Sequence, residues 1–166
     1  MKFILLLIPL FLASGLRGEE TAAALEEKAN RLFFEGQVTP SIEAYKRAAQ
    51  ADPSRASVYL NLSCAYRSLA ENEKALEVLR KAVQISTGDP DIHAEAGWAA
   101  RHLGHYQDAI VYFSEALRME PEHLSALLGL GVSQSESGRS SGAIQALSKL
   151  CELRPNFGAS AMFLSK

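Results

Sequence analysis

The amino-acid sequence predicts an all-α protein built from helical hairpins stacked end to end, on three observations. Glycines and prolines recur at one constant spacing, the apolar residues between them follow the helical period, and strand-favouring β-branched residues are sparse. The stretch 91–121, DIHAEAGWAARHLGHYQDAIVYFSEALRMEP, holds two short amphipathic runs joined at Gly104-His105-Tyr106 and stopped by Pro121. With 48% hydrophobic and 22% charged residues the chain has a globular balance, and 166 residues suffice for one sizeable core. A net charge of −2 with no Lys/Arg cluster gives no footing for nucleic acid. Two cysteines, Cys64 and Cys151, are too few for a disulfide framework.

The first residues read as an address. Met1-Lys2 supplies a positive start, Phe3 to Ala13 an apolar run, and Ala13-Ser14-Gly15 the small residues a signal peptidase reads. The expectation is a signal peptide over 1–15, cleaved after Gly15, a polar linker over 16–21, and export to a bacterial periplasm or beyond. The run is shorter than the ~20 apolar residues of a spanning helix and contains Pro9, so no stable membrane span is expected in the mature chain.

From Ala22 onward four blocks of equal length follow without insertion: 22–55, 56–89, 90–123 and 124–157. The residue between the two helices of each block is Gly36, Ala70, Gly104 and Gly138. The second helix opens on a small residue, Ser41, Ala75, Ala109 or Ala143, followed by the apolar Ile42, Leu76, Ile110 or Ile144. One turn on stand Tyr45, Leu79, Phe113 and Leu147, and then Ala48, Ala82, Ala116 and Leu150. Pro53, Pro121 and Pro155 close three blocks, with Thr87-Gly88 closing the other. Glycine ends a helix because it tolerates the left-handed conformation, and proline cannot continue one. Small residues let helices approach while the bulky neighbour fills the space beside them. A single hairpin cannot bury its apolar face, so the blocks must stack.

Gly97, Gly104, Tyr106, Ala109, Phe113, Ala116 and Pro121 fall where a tetratricopeptide repeat carries its characteristic residues. Over 22–157 the chain resembles that family, most closely in the third block and least at the start of the first, where Lys28 replaces an apolar residue. The resemblance implies a right-handed α-solenoid of four repeats, and 158–166 would form a capping helix or the start of a fifth repeat. It also implies that first helices line a concave groove, through Glu26, Asn30 and Phe33; Leu60, Cys64 and Arg67; Ala94, Trp98 and Arg101; and Leu128, Val132 and Ser135. Each trio spans i, i+4, i+7 and so shares one helical face.

Trp98 between Leu60 and Leu128 would form an apolar floor, with Arg67 and Arg101 at one edge. The alternative is that Trp98 is a core residue. Tryptophan and arginine often dominate interface energetics, and such a groove suits an extended segment or an amphipathic helix with acidic flanks. Some members of the family clamp a terminal carboxylate with cations and asparagines. Asn30 and Asn61 match the asparagines, but Glu26, Asp91 and Glu95 occupy the cation positions and would repel that ligand.

Other candidates are weaker. His102 and His105 read as exposed turn residues without a third metal ligand, with His93 and His123 placed elsewhere. Cys64 and Cys151 lie in non-adjacent repeats, too far apart for a bridge, and read as packing residues, Cys64 also lining the groove. Asn61-Leu62-Ser63 matches a glycosylation acceptor but falls inside a helix. No phosphate loop, nucleophile elbow or zincin pattern occurs in the sequence, and no cofactor or catalytic residue is expected. The expected function is a protein-interaction scaffold of the bacterial envelope that binds a peptide or protein segment in its groove. Two other readings stand beside it: an N-terminal interaction module of a longer envelope or cell-wall enzyme, suggested by apolar Met162–Leu164, and a self-associating solenoid.

Overall fold

The computed structural model describes residues 20–155; the expected signal peptide, most of the linker and the segment 158–166 lie outside the described residues. Within them the chain forms eight helices: α1 Ala22–Phe34, α2 Val38–Ala51, α3 Ala56–Ser68, α4 Asn72–Ile85, α5 Pro90–His102, α6 Tyr106–Met119, α7 Leu124–Glu136 and α8 Ser140–Leu153. They pair as four hairpins, and each hairpin packs on the next through its neighbouring helices.

All four hairpin turns are built alike. Gly36, Gly104 and Gly138 take φ of 77°, 76° and 79°, and Ala70 is forced into the same left-handed region at 59°. The following N–H returns to the carbonyl five residues back: Gln37 to Leu32 at 2.8 Å, Glu71 to Tyr66 at 3.0 Å, His105 to Ala100 at 3.0 Å and Arg139 to Gln134 at 2.7 Å. This 6→1 bond satisfies a carbonyl that the helix end would otherwise leave orphaned.

The repeat positions form the core. Ser41, Ala75, Ala109 and Ala143 are buried, and Tyr45, Leu79 and Phe113 are fully enclosed. The Phe113 ring lies so close to Gly97 and Gly129 that a Cβ would come within 2.7 Å of it at the first and 2.2 Å at the second. One aromatic side chain therefore closes its own hairpin against α5 and joins it to α7 of the next. Ile42, Leu76 and Ile110 are buried, but Ile144 is 65% exposed, contrary to its apolar repeat position. In the first three repeats a following helix pair covers this side of the second helix; among the described residues no helix follows α8.

The stack has an inner and an outer side. First helices approach one another across repeats, α1 against α3 and α5 against α7, whereas no two second helices make a comparable contact among the described residues. The closer packing of first helices puts α1, α3, α5 and α7 on the concave face. None of the described helices is long and apolar enough to cross a membrane.

Candidate functional site

Trp98 stands on α5 near the middle of the concave face. Its indole meets Phe113 edge-on, with ring centroids 5.3 Å apart and planes at 75°. Leu60 of α3 packs partly against the same core cluster as Trp98. Leu128 and Val132 of α7 are half-buried, as are Cys64, Arg67 and Arg101. Ala94 is enclosed and lies under this floor without offering surface to a ligand. Trp98 thus belongs both to the core, through its edge, and to the groove, through its remaining surface. Its Nε1–H donates to Ser125 Oγ of α7 at 2.8 Å, which fixes the ring's orientation.

The two arginines do not stand free. Arg101 forks onto Glu136 of α7, Nε at 2.9 Å and Nη2 at 2.8 Å, while its guanidinium carbon sits 5.6 Å from the Trp98 ring centre. Arg67 of α3 pairs with Glu95 of α5. Arg55, the residue before α3, reaches Glu26 of α1 through Nε at 3.1 Å and Nη2 at 2.7 Å, and that carboxylate holds the guanidinium above its ordinary pKa. His123, the residue before α7, meets Asp91 of α5 at 2.9 Å. All four pairs lie on the inner side: Arg67–Glu95 and Arg101–Glu136 cross from one repeat to its neighbour, while Arg55 and His123, the last residues of their own repeats, tie the start of the next first helix back to Glu26 and Asp91. The second helices carry one such pair among the described residues, Arg80–Asp108, at a loose 3.9 Å and well exposed. With partly exposed side chains the Arg67–Glu95 and Arg101–Glu136 links contribute only about 0.2–1 kcal/mol each. Their joint effect is to hold successive first helices in register and leave the concave face electrically almost neutral.

An amide cluster completes the inner face at the first two repeats. Asn30 Oδ1 accepts from Tyr45 Oη at 2.6 Å and from Asn61 Nδ2 at 3.2 Å. Burial, aided by nearby Cys64 and Glu26, pushes the Tyr45 phenol up to about 12. Burial likewise raises the Cys64 thiol, with Glu95 adding to it and Arg67 opposing, so the thiol is not activated as a nucleophile. Cys64, Arg67 and His102 share an open hollow of about 470 Å³ at the turn around Ala70. Cys64 and Cys151 are both unbridged.

Sequence reasoning named these first-helix positions but missed the partners of Arg67 and Arg101. Glu95 lies 28 residues from Arg67, and Glu136 lies 35 from Arg101. The available signal was opposite charge about one repeat away on another first helix. His102 and His105 are exposed turn residues. His93 and His123 are buried and hydrogen-bonded, His93 to the Asp89 carbonyl at 3.0 Å. The clue for His123 was its place directly before a first helix, in the position that Thr21 and Asp89 use for capping. Among the described residues no group of three or more His, Cys, Asp or Glu side chains could hold a metal ion.

Comparison with known proteins agrees with this architecture. Tetratricopeptide repeat profiles match residues 56–89 and 95–156, more than half of the chain. The Hsp70-Hsp90 organising protein of Plasmodium falciparum is 30% identical over 107 residues, covering 64% of this chain and 42% of that protein. Tetratricopeptide repeat protein 28 of Homo sapiens is 29% identical over 103 residues, which is 62% of this chain and 4% of that protein. The chain thus spans less than half the length of either relative. The solved structure of MamA from Desulfovibrio magneticus RS-1, residues 41 to the end, superposes with a TM-score of 0.75 at 16% identity, covering 83% of this chain and 78% of that one. The first tetratricopeptide domain of Spaghetti (RPAP3), bound to the HSP90 peptide SRMEEVD, gives 0.68 at 23% identity, covering 73% and 99%. At these identities the structural matches speak to fold alone. By repeat grammar, hairpin geometry and matching profiles, the chain belongs to the tetratricopeptide repeat family.

Proposed function

We propose that the chain is an exported protein-interaction scaffold of the bacterial envelope, holding an apolar, weakly charged segment of a partner along its concave face. The carrying observation is Trp98: a large aromatic on the inner face, fixed by Phe113 and Ser125, packed with Leu60 against one core cluster, while Leu128 and Val132 stand half-buried on the next first helix. A preformed floor of this kind binds without the cost of ordering loops. Export is proposed from the basic start, apolar run and small residues of 1–15.

The paired arginines adjust the expected ligand. An acidic flank would have to displace Glu95 or Glu136 from arginines they already neutralise, so apolar complementarity carries the affinity. The acidic peptide held by the RPAP3 domain suits this groove poorly. Glu26, Asp91 and Glu95 line the face where a carboxylate ligand needs cations, and Asn30 and Asn61 are bonded to each other. The test is a crosslinking pull-down from an envelope fraction with the intact chain and with Trp98→Ala/Arg101→Glu. Loss of the captured partners from a folded variant supports the groove, and an unchanged set removes it.

A further inference from the structure

α7 starts on a cap of a different kind from those of α1 and α5, which are capped by Thr21 and Asp89. The Ala126 N–H donates to Nδ1 of His123 at 3.1 Å, while Nε2 of the same ring lies 2.9 Å from Asp91 Oδ1. An Nδ1 that accepts has no proton, so the Nε2 facing the carboxylate carries it, and the geometry requires the neutral Nε2–H tautomer. The ring is only 9% exposed. In the same first turn, Ser125 is the residue that holds Trp98.

We propose that His123 is an acid-sensitive cap: a second proton on its ring releases the first turn of α7 and, through Ser125, loosens the seat of Trp98 in the groove. Imidazoles take up that proton in mildly acidic solution. Nδ1–H would then point at the Ala126 N–H, two donors face to face, and the cap bond is lost. The charged groups around the ring are Asp91 from α5, Glu120 and Glu122 from the α6–α7 connection, and Arg154 after α8, which together line an open hollow of about 710 Å³. Acid therefore exchanges a cap within α7 for a stronger imidazolium–Asp91 link to α5, leaving the α7 terminus unsatisfied. The consequence for a partner rests on the groove reading above, but the cap does not.

The experiment uses the full chain without any partner, so its result is independent of the pull-down. Amide exchange is followed between about pH 7.5 and 5.5, a range chosen to span imidazole titration. Protection of Ala126 is expected to fall about fivefold relative to Ala24, whose cap, the Thr21 hydroxyl, does not titrate. His123→Asn keeps a capping acceptor but cannot titrate, and should abolish the fall. Trp98 is the only tryptophan, and its emission should shift over the same range. That reading is taken in a His102→Gln background, because the His102 ring lies 6.5 Å from Trp98 and would quench it when charged. Unchanged Ala126 protection in the native chain, or an equal fall in His123→Asn, overturns the proposal. If His123→Asn does not fold, Asp91→Asn serves instead. Removing that carboxylate should move the loss of protection to more acidic pH, and a loss at unchanged pH overturns the proposal equally.

Discussion

Ala70 occupies the turn position that Gly36, Gly104 and Gly138 hold in the other repeats, yet adopts the same left-handed backbone. A Cβ there costs ~1–2 kcal/mol, partly offset because alanine has less backbone freedom to lose on folding. Ala70→Gly should therefore stabilise the chain by ~0.5–1 kcal/mol, read as a higher urea midpoint. Ser133 is a second departure from repeat grammar. Its hydroxyl is buried without a partner, and the equivalent positions in repeats two and three are the buried Ala65 and Ala99. Ser133→Ala should stabilise by ~1 kcal/mol, because an unsatisfied donor is removed and no bond is lost.

Tyr45 gives the third residue-scale expectation, one of pH. Its phenol titrates at about 12 in the folded chain against an ordinary value of 10.0. The folded state thus keeps a proton that the unfolded state releases first, so stability is fully present below pH 10.0 and falls as pH rises towards 12. Tyr45→Phe should lack that added alkaline slope. It should also lose ~1 kcal/mol at neutral pH with the Asn30 bond, which paired urea titrations would resolve.

At the scale of elements, glycines inside helices separate into those that matter for packing and those that do not. Gly129 of α7 faces the Phe113 ring, which is enclosed and cannot retreat. Gly129→Ala should cost ~1–3 kcal/mol despite the better helix propensity of alanine. Gly142 of α8 instead faces the amide end of Gln134, a flexible chain, so Gly142→Ala should be near neutral by the same thermal-melt comparison. The sequence made such elements legible because their signals are local. A glycine needing positive φ, a proline stopping a helix, and a small residue facing a large one all repeat at a fixed interval. What it did not reveal depends on the neighbouring element: Glu95 opposite Arg67, Glu136 opposite Arg101, the burial of His93 and His123, and the exposure of Ile144. Each is decided by which side chain the adjacent repeat presents, and no interval within one repeat encodes that.

For the whole molecule, the concave face is laced from repeat to repeat by Arg67–Glu95, Arg101–Glu136, Asn61–Asn30 and Trp98–Ser125, while Arg55–Glu26 and His123–Asp91 tie the end of one repeat back to its own first helix. The outer face lacks a comparable set among the described residues. A stack whose repeats touch only their neighbours depends on such links for a defined curvature. The same links neutralise inner charges, and on the proposed reading Trp98 and Leu60 are the surface offered to a partner.

The most direct test of that assignment places a photo-crosslinking side chain at Leu60 or Leu128 on the concave face, and at exposed Val111 on the outer helix α6, in separate variants of the full chain within cells. Adducts to a discrete partner from Leu60 and Leu128, absent from Val111 and lost when Trp98→Ala is added, are the predicted result. Equal adducts from Val111, or adducts indifferent to Trp98→Ala in a folded chain, would contradict the assignment of the concave face as the binding surface.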